Sequence, residues 1–381
     1  MAPMTREVGV NRSSGGNDIG GGEKATRVRI GRIDGDGIGH EVVPAAVAVV
    51  ESAAAAIGGV EIDWVPLVIG HDAIERFDTP LPDATLDALT ELDAWILGPH
   101  DNVSYPERFR DTPAPGGAIR KRFGLYANVR PARAFEHVRA TVPGMDLVIV
   151  RENSEGLYAD RNMARGSGEF MPTADVALAV GVVTRAATER IARVAFALAR
   201  KRRRRVTIVH KANVLAMTTG LFLHVCREVA ADYPDVQVDD EHVDAMAALL
   251  VRRGGDFDVV VTENLFGDIL SDLAGELSGS LGTAPSINAS GTQVMAQAAH
   301  GAAPDIAGHN RANPTAIMLS AAMMLDHLAL ARGDRRLAEV AARVERAVRE
   351  TISSGVATAD LGGGASTGEF TETVCARARR W

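Results

Sequence analysis

Apolar positions along this chain recur with two different periods. Short apolar runs at 28–33, 61–67, 94–98, 146–150, 206–210 and 257–261 have strand length. Between and after them, spacings of three and four predict helices near 41–57, 83–91, 184–200, 214–231, 244–253, 265–280, 313–331, 335–353 and 367–379. Strands alternating with helices predict an α/β protein with a largely parallel core. Thr367, followed by Gly-Glu-Phe, predicts a capped start for the last helix. No fixed-period repeat is present.

Residues 1–27 fall outside both periods. They are rich in Gly, Ser, Asn and Arg, lack the apolar segment of a secretory signal, and are expected to form a disordered tail. No run of 18 apolar residues occurs, so no membrane span is expected. The 381 residues, 46% hydrophobic and 24% charged, suit two globular domains. Cys226 and Cys375 are the only cysteines, which excludes a disulfide framework or a Cys-based zinc site and fits a reducing cytoplasm. The net charge of −8 argues against nucleic acid as a partner. The basic run KRRRR (201–205) reads as the solvated C-terminus of a helix. Only four of the 41 basic residues are lysines: Lys24, Lys121, Lys201 and Lys211. In so Arg-biased a chain a Lys sits cheaply on the surface, or where a base is needed, because Lys can give up its proton and Arg cannot.

That bias directs attention to VTIVHKANVL, which sets Lys211 just past a strand, where α/β sheets place ligands. In TENLFGDILSDLAGE, Asp268, Asp272 and Glu276 recur at i, i+4 and i+8, so they stack on one helix face and repel. Either that face is wet or something compensates. Asp244 opens the preceding helix. Together, Asp244, Asp268 and Asp272 are the hard oxygen set that suits Mg²⁺ or Mn²⁺; Glu276 lies a turn too far along and reads as a surface or interface acid. Arg120, Arg130 and Arg151 lie close in sequence, the last two at expected strand ends. Three such groups could grip a substrate with several carboxylates, or simply be solvated. Tyr158 could donate a proton or pack in the core. GDGIGHE lacks the G-x-G-x-x-G spacing, so a Rossmann fold is not expected. In HGAAPDIAG (300–308) small residues let backbone approach a nucleotide, and Asp305 would favour a ribose hydroxyl over a 2′-phosphate, NAD over NADP; as a bare motif it could be any surface loop.

Taken in order, GDGIGHE, YANVRPAR, RENSEGLYA, HKANVL, NLFGDILSDLAG and HGAAPDIAG…ANPTA resemble the β-decarboxylating dehydrogenases, the isocitrate, homoisocitrate, 3-isopropylmalate and tartrate dehydrogenases, from about Val28 to Ala378. The resemblance implies an α/β/α sandwich of the isopropylmalate-dehydrogenase kind, not Rossmann. One domain would comprise 28–125 with 280–381 and hold NAD; the other, 126–279, would carry the dimer interface and the substrate and metal groups. It implies that Arg120, Arg130, Arg151 and Asn213 bind the substrate, Tyr158 donates a proton, and Lys211 is the base, acting across a homodimer interface. Asp268 and Asp272 would bind Mg²⁺ or Mn²⁺ with Asp244 of the partner. Ile38, His300, Gly301, Ala302, Ala303, Pro304, Asp305, Ile306 and Asn313 would hold NAD. The implied reaction is oxidative decarboxylation of a 3-substituted (R)-malate. RENSEGLY resembles the isocitrate and homoisocitrate branches. Yet TPAPGGAIR, just before Arg120, has Ala114, Gly116 and Gly117 where such enzymes carry Ser and Asn, paired Leu, or an extra Arg. The substrate therefore stays open, with a tartrate-, D-malate- or specialised metabolic acid as alternatives. A non-catalytic regulatory subunit would have lost the Lys, Tyr or Asp groups, which are present; a metal-dependent lyase would leave the 300–308 loop incidental.

Overall fold

The structure, a computed structural model, describes residues 25–110, 112–158 and 168–380. The strands are β1 (Thr26–Ile33), β2 (Val60–Leu67), β3 (Ala94–Leu97), β4 (Ala127–Arg133), β5 (Asp146–Glu152), β6 (Glu169–Thr173), β7 (Val176–Ala179), β8 (Arg205–His210), β9 (Gln237–His242), β10 (Val259–Thr262), β11 (Ile287–Ala289) and β12 (Val294–Ala296). The helices are α1 (Gly39–Ile57), α2 (Gly70–Phe77), α3 (Asp83–Thr90), α4 (Pro115–Arg122), α5 (Arg185–Arg200), α6 (Thr218–Ala230), α7 (Val243–Arg253), α8 (Asn264–Ser278), α9 (Thr315–Arg332), α10 (Arg335–Ser353) and α11 (Thr367–Arg380). The expected tail overlaps β1 at Thr26 and Arg27, because these residues pair with Val60 and Glu61; residues 1–24 lie outside the described residues.

Ten strands form one sheet in the order β2-β1-β3-β12-β11-β4-β5-β10-β8-β9. Pairing is parallel except at its centre, where β12-β11, β11-β4 and β4-β5 are antiparallel. The chain thus leaves the β1–β3 half after α4, builds the β4–β10 half, and returns through β11 and β12 to pair with β3.

The period of two explains why both faces are covered. In β5, Val148 and Val150 join Val259 and Val261 of β10 against α5 and α6, while Leu147 and Ile149 point the other way, with Val260, against α7 and α8. In the other half α1, α9, α10 and α11 cover one face, and α3, Ile119 and Trp95 close the other. The result is an α/β/α sandwich in two halves. α1 and α9 are long and apolar enough to cross a bilayer, but more than half of each apolar window is buried in the first of these cores.

Two local expectations change. The cap of α11 is Ser366, one residue earlier: its N–H donates to Glu369 Oε2 (2.9 Å) and its Oγ accepts from Glu369 N–H (3.2 Å), a capping box. The basic run after α5 is not simply solvated. Arg202 reaches Asp258, whose side chain is fully buried, and Asp146, both at about 2.8–2.9 Å, and the two acids neutralise it.

Candidate active site

Helix α8 begins where β10 ends and lays one face along β4 and β5. Its first residue, Asn264, holds Arg151 through Oδ1, which accepts from Nε (2.9 Å) and Nη2 (2.6 Å). The Asn264 amide in turn donates to the Glu155 carbonyl at 2.8 Å. Arg151 Nη1 pairs with Asp268, one turn further along α8. The Arg151 side chain is only 2% exposed, and so large a buried cation is tolerable only because its donors are met. Tyr158 OH donates to Asp268 Oδ2 at 2.7 Å, and the Arg151 guanidinium lies 5.6 Å from the Tyr158 ring centre.

Arg130 joins from β4. It lies in the middle of that strand, not at a strand end as expected, because β4 pairs along its whole length with β5. Its Nη1 donates to Ser271 Oγ (2.8 Å) and lies 3.4 Å from both Asp268 Oδ1 and Asp272 Oδ1. Its Nε donates to Asn128 Oδ1 at 2.6 Å; Asn128 and Asn153 both donate to Asn288 Oδ1 of β11, at 2.6 and 3.0 Å. This buried amide relay fixes the arginine from the other half of the sheet. Asn128, Asn264, Asn288 and Ser271 escaped the sequence reading, although Asn128 stands two residues before Arg130 on the same strand face. Arg120 sits on α4 with its Nε donating to the Gly116 carbonyl at 3.0 Å, and its charge also acts on Asp268.

Burial pushes the Asp268 carboxyl up, but Arg151, the Tyr158 hydroxyl, Arg130 and Arg120 together outweigh it and hold the group below its usual range. Asp272 goes the other way. Burial raises it, Arg130 opposes, and the charges of Asp268 and Glu276 raise it further. The compensation asked for by the stacked acids is therefore partly supplied by guanidinium groups, so repulsion alone does not demand an ion. Glu276 accepts from Leu281 N–H at 3.2 Å and caps the chain past α8.

Lys211 follows β8 and pairs with Asp244 at the start of α7. This ammonium holds the exposed Asp244 carboxyl below its usual range. Next to it His210 accepts from Ala212 N–H through Nδ1 (3.0 Å), leaving Nε2 to donate to Asp240 at 3.1 Å. Asn213 is exposed on the turn that follows. Among the described residues of one chain no three His, Cys, Asp or Glu groups come within range of a common ion, so Asp244 does not meet Asp268 and Asp272 within a single chain.

The expected nucleotide residues gather elsewhere. Ile38, His300, Ala303, Ile306 and Asn313 line one cavity of about 330 Å³, with Ser280, Arg311 and Asp360. The buried Nε2 of His300 has no partner among the described residues, and burial lowers the affinity of this imidazole for a proton. Gly37 is required here. Its φ is +55°, and a Cβ would lie 2.1 Å from the Ala302 carbonyl oxygen. That oxygen accepts from Ile38 N–H at 2.9 Å and ties the 35–39 turn to the 300–306 loop. Gly301, Pro304 and Asp305 are exposed on that loop, and Ala302 is buried beneath it. Asn313 is committed to structure: Oδ1 accepts from Thr315 N–H and Nδ2 donates to Asp360, each at 2.9 Å. A larger hollow of about 760 Å³ lies on the opposite face of β4, against Val129, Pro131 and Arg133, and touches none of the expected site residues.

Residues 29–374 match the family model described as isocitrate/isopropylmalate dehydrogenase. The chain is 46% identical over 350 residues to an isocitrate/homoisocitrate dehydrogenase of Thermus thermophilus, covering 91% of this chain and 97% of that one. It is 43% identical over 343 residues to the 3-isopropylmalate dehydrogenase of Archaeoglobus fulgidus, covering 90% and 97%. The crystal structure of isocitrate dehydrogenase from Methylococcus capsulatus superposes with a TM-score of 0.82 at 42% identity, over 93% of this chain and all of the other.

Proposed function

The chain belongs to the isocitrate/isopropylmalate dehydrogenase family, enzymes that oxidatively decarboxylate small hydroxy acids, and on that footing we propose that it acts on a 3-substituted (R)-malate with NAD and Mg²⁺ or Mn²⁺. The observation that carries this reading is the meeting of two guanidinium groups, a phenol and two carboxylates along one face of α8, with the charge of Arg120 acting on the same cluster. Arg120, Arg130 and Arg151 supply the positive charge that binds and orients the substrate carboxylates. Arg151 is fixed beforehand by Asn264 and Arg130 by the amide relay, so little ordering of these two is left for the binding step. Lys211 removes the proton of the C2 hydroxyl as hydride leaves C2. Loss of CO₂ from the β-keto acid then leaves an enol carbon, which Tyr158 OH protonates.

The donor set fits a divalent cation. Asp268 and Asp272 are hard oxygen ligands one helical turn apart, and Asp272 is 55% exposed. Asp268 and Asp272, with Asp244 of a partner chain, would hold such a cation, which would supply Lewis-acid polarisation of the substrate oxygens. The cavity lined by Ile38 and by His300, whose buried Nε2 lacks a partner among the described residues, suits part of NAD, with Asp305 on the same loop. Bound there, NAD would accept the hydride that leaves C2.

We infer a homodimer with shared sites. In the β6–β7 hairpin every residue is exposed, including Phe170, Met171, Val176 and Leu178, and Val214, Met217 and Ile269 are exposed beside the Lys211 and α8 clusters. So much apolar surface around a half-site favours burial against a second copy. We place the domain division, 28–125 with 280–381 and 126–279, near the two points where the chain crosses between halves of the sheet. Incubation with NAD, Mn²⁺ and a panel of 3-substituted malates is expected to yield NADH and CO₂ with at least one acid, to stop on chelation, and to resume on adding Mn²⁺. No NADH with any acid, or full turnover after exhaustive chelation, would sink the reading.

A further inference from the structure

Lys211 and Asp244 pair just past the ends of β8 and β9, and the last residues of those strands, His210 and His242, lie opposite one another in the ladder. Their rings meet edge-on, 5.1 Å between centres. β9 is the outermost strand on this side of the sheet, so the corner is supported by strands from one side only. The chain must also leave the ladder here and turn, and two side chains take over the backbone groups that the ladder gives up. Thr219 Oγ1 accepts from Lys211 N–H at 3.1 Å and donates to the Leu215 carbonyl at 3.2 Å. His210 Nδ1 accepts from Ala212 N–H at 3.0 Å, two residues on, the bond by which an Asn or Asp side chain closes a turn. Because Nδ1 accepts, the ring carries its proton on Nε2 and donates it to Asp240 Oδ2 at 3.1 Å. Asp240 accepts in turn from Arg227 Nη2 of α6 at 2.5 Å. Burial works against the Asp240 carboxylate, but Arg227 and His210 outweigh it and hold the group below its usual range. His210 and Thr219 are 3% and 1% exposed, whereas the Lys211 side chain is 25% exposed. The backbone of Lys211 is thus gripped from within while its ammonium reaches outward to Asp244.

Building on the proposed role of Lys211 as the base, we propose that His210 is a positioning residue: anchored by Asp240, its Nδ1 sets the turn that places the Lys211 ammonium for proton transfer. It acts through the backbone of the lysine. The cavity beside His300 lies in the other half of the sheet, so nucleotide binding does not pass through this turn. A turn that loses its His210 bond shifts Lys211 by a fraction of its own length, and a displacement of that size costs rate far more than it costs binding.

The test measures kcat and KM of the full-length enzyme with NAD, Mn²⁺ and an acid that the wild type oxidises. Asn can offer a carbonyl oxygen where Nδ1 stands, and Gln an amide where Nε2 stands, so these two variants separate the turn bond from the Asp240 bond. His210→Leu is expected to lower kcat by about 10–100-fold with KM for NAD within about twofold of wild type. His210→Asn is expected to keep kcat within about threefold of wild type, and His210→Gln to fall with the Leu variant. Thr219→Val, which removes the acceptor for Lys211 N–H with little change of shape, is expected to lower kcat in the same direction. A merely structural role would lower all three His210 variants alike. Equal losses in the Asn and Gln variants, or wild-type kcat in the Leu variant, overturn the inference while leaving the reaction class intact; the Asn–Gln comparison decides the matter even if the Leu variant does not fold. Absence of NAD reduction by the wild type with every acid overturns the reaction class and this inference with it.

Discussion

Asp268 is the residue on which the site turns, since Arg130, Arg151 and Tyr158 all contact it. Its spacing from Asp272 was legible in the sequence because a helix makes i and i+4 neighbours. That Arg130 and Arg151 would pair with these acids was not, because the pairing spans more than 110 residues. Lys211 was legible from its rarity and its place after a strand; its pairing with Asp244 was not. Lys211→Met is expected to lower kcat by about 10²–10⁴ while leaving NAD affinity unchanged, as read by quenching of protein fluorescence; wild-type turnover would show that another group takes the proton. Glu263 carries a second, separate prediction. Burial, and then the charge of Glu152, push its carboxyl up from 4.5 to about 7. Between those values the folded chain keeps a proton that the unfolded chain has lost, so stability falls as pH rises through that window and the full cost is present above it. Glu263→Gln is expected to flatten this decline in denaturant midpoints measured from pH 5 to 8. An unchanged slope would mean the carboxyl ionises in the fold as freely as in the unfolded chain.

At the scale of elements, what the sequence made readable was what is buried. The long helices and the apolar strands β1, β3, β5, β8 and β10 carry clear periods because one or both of their faces meet a core. The elements that escaped did so for separate physical reasons. Every residue of β6 and β7 is exposed, so no alternation marks them. β9 reads QVDDEH, an acidic edge strand, and β11 and β12 are three residues each. Helix α4 begins PGG, which signals a turn until its packing is known. The turn before α1 was readable as a tight one, but its function as a platform for the 300–306 loop depends on contact across the fold. Gly37→Ala is expected to destabilise the protein by about 1–3 kcal/mol for the positive φ and to weaken NAD binding by displacing the Ala302 carbonyl. A melting temperature and NAD affinity both equal to wild type would show that this close approach is not needed.

The whole molecule joins two differently built halves through a short antiparallel seam, β12-β11-β4-β5. The amide relay from Asn288 to Arg130 crosses that seam, so the half that holds the cavity beside His300 also aligns Arg130. A single chain nevertheless leaves two partial clusters, Lys211 with Asp244 and the arginine–carboxylate group on α8. On the present account a second copy completes each.

Subunit exchange between two inactive variants tests this directly. In a Lys211→Met and Asp268→Asn hybrid, one site receives the intact lysine from one chain and the intact aspartate from the other, whereas each parent dimer has none. Mixing equal amounts under conditions that exchange subunits is expected to restore about a quarter of wild-type NADH formation, from half the dimers being hybrid with one of two sites whole. Hybrids verified by mass to have formed, yet as inactive as their parents, would contradict the account.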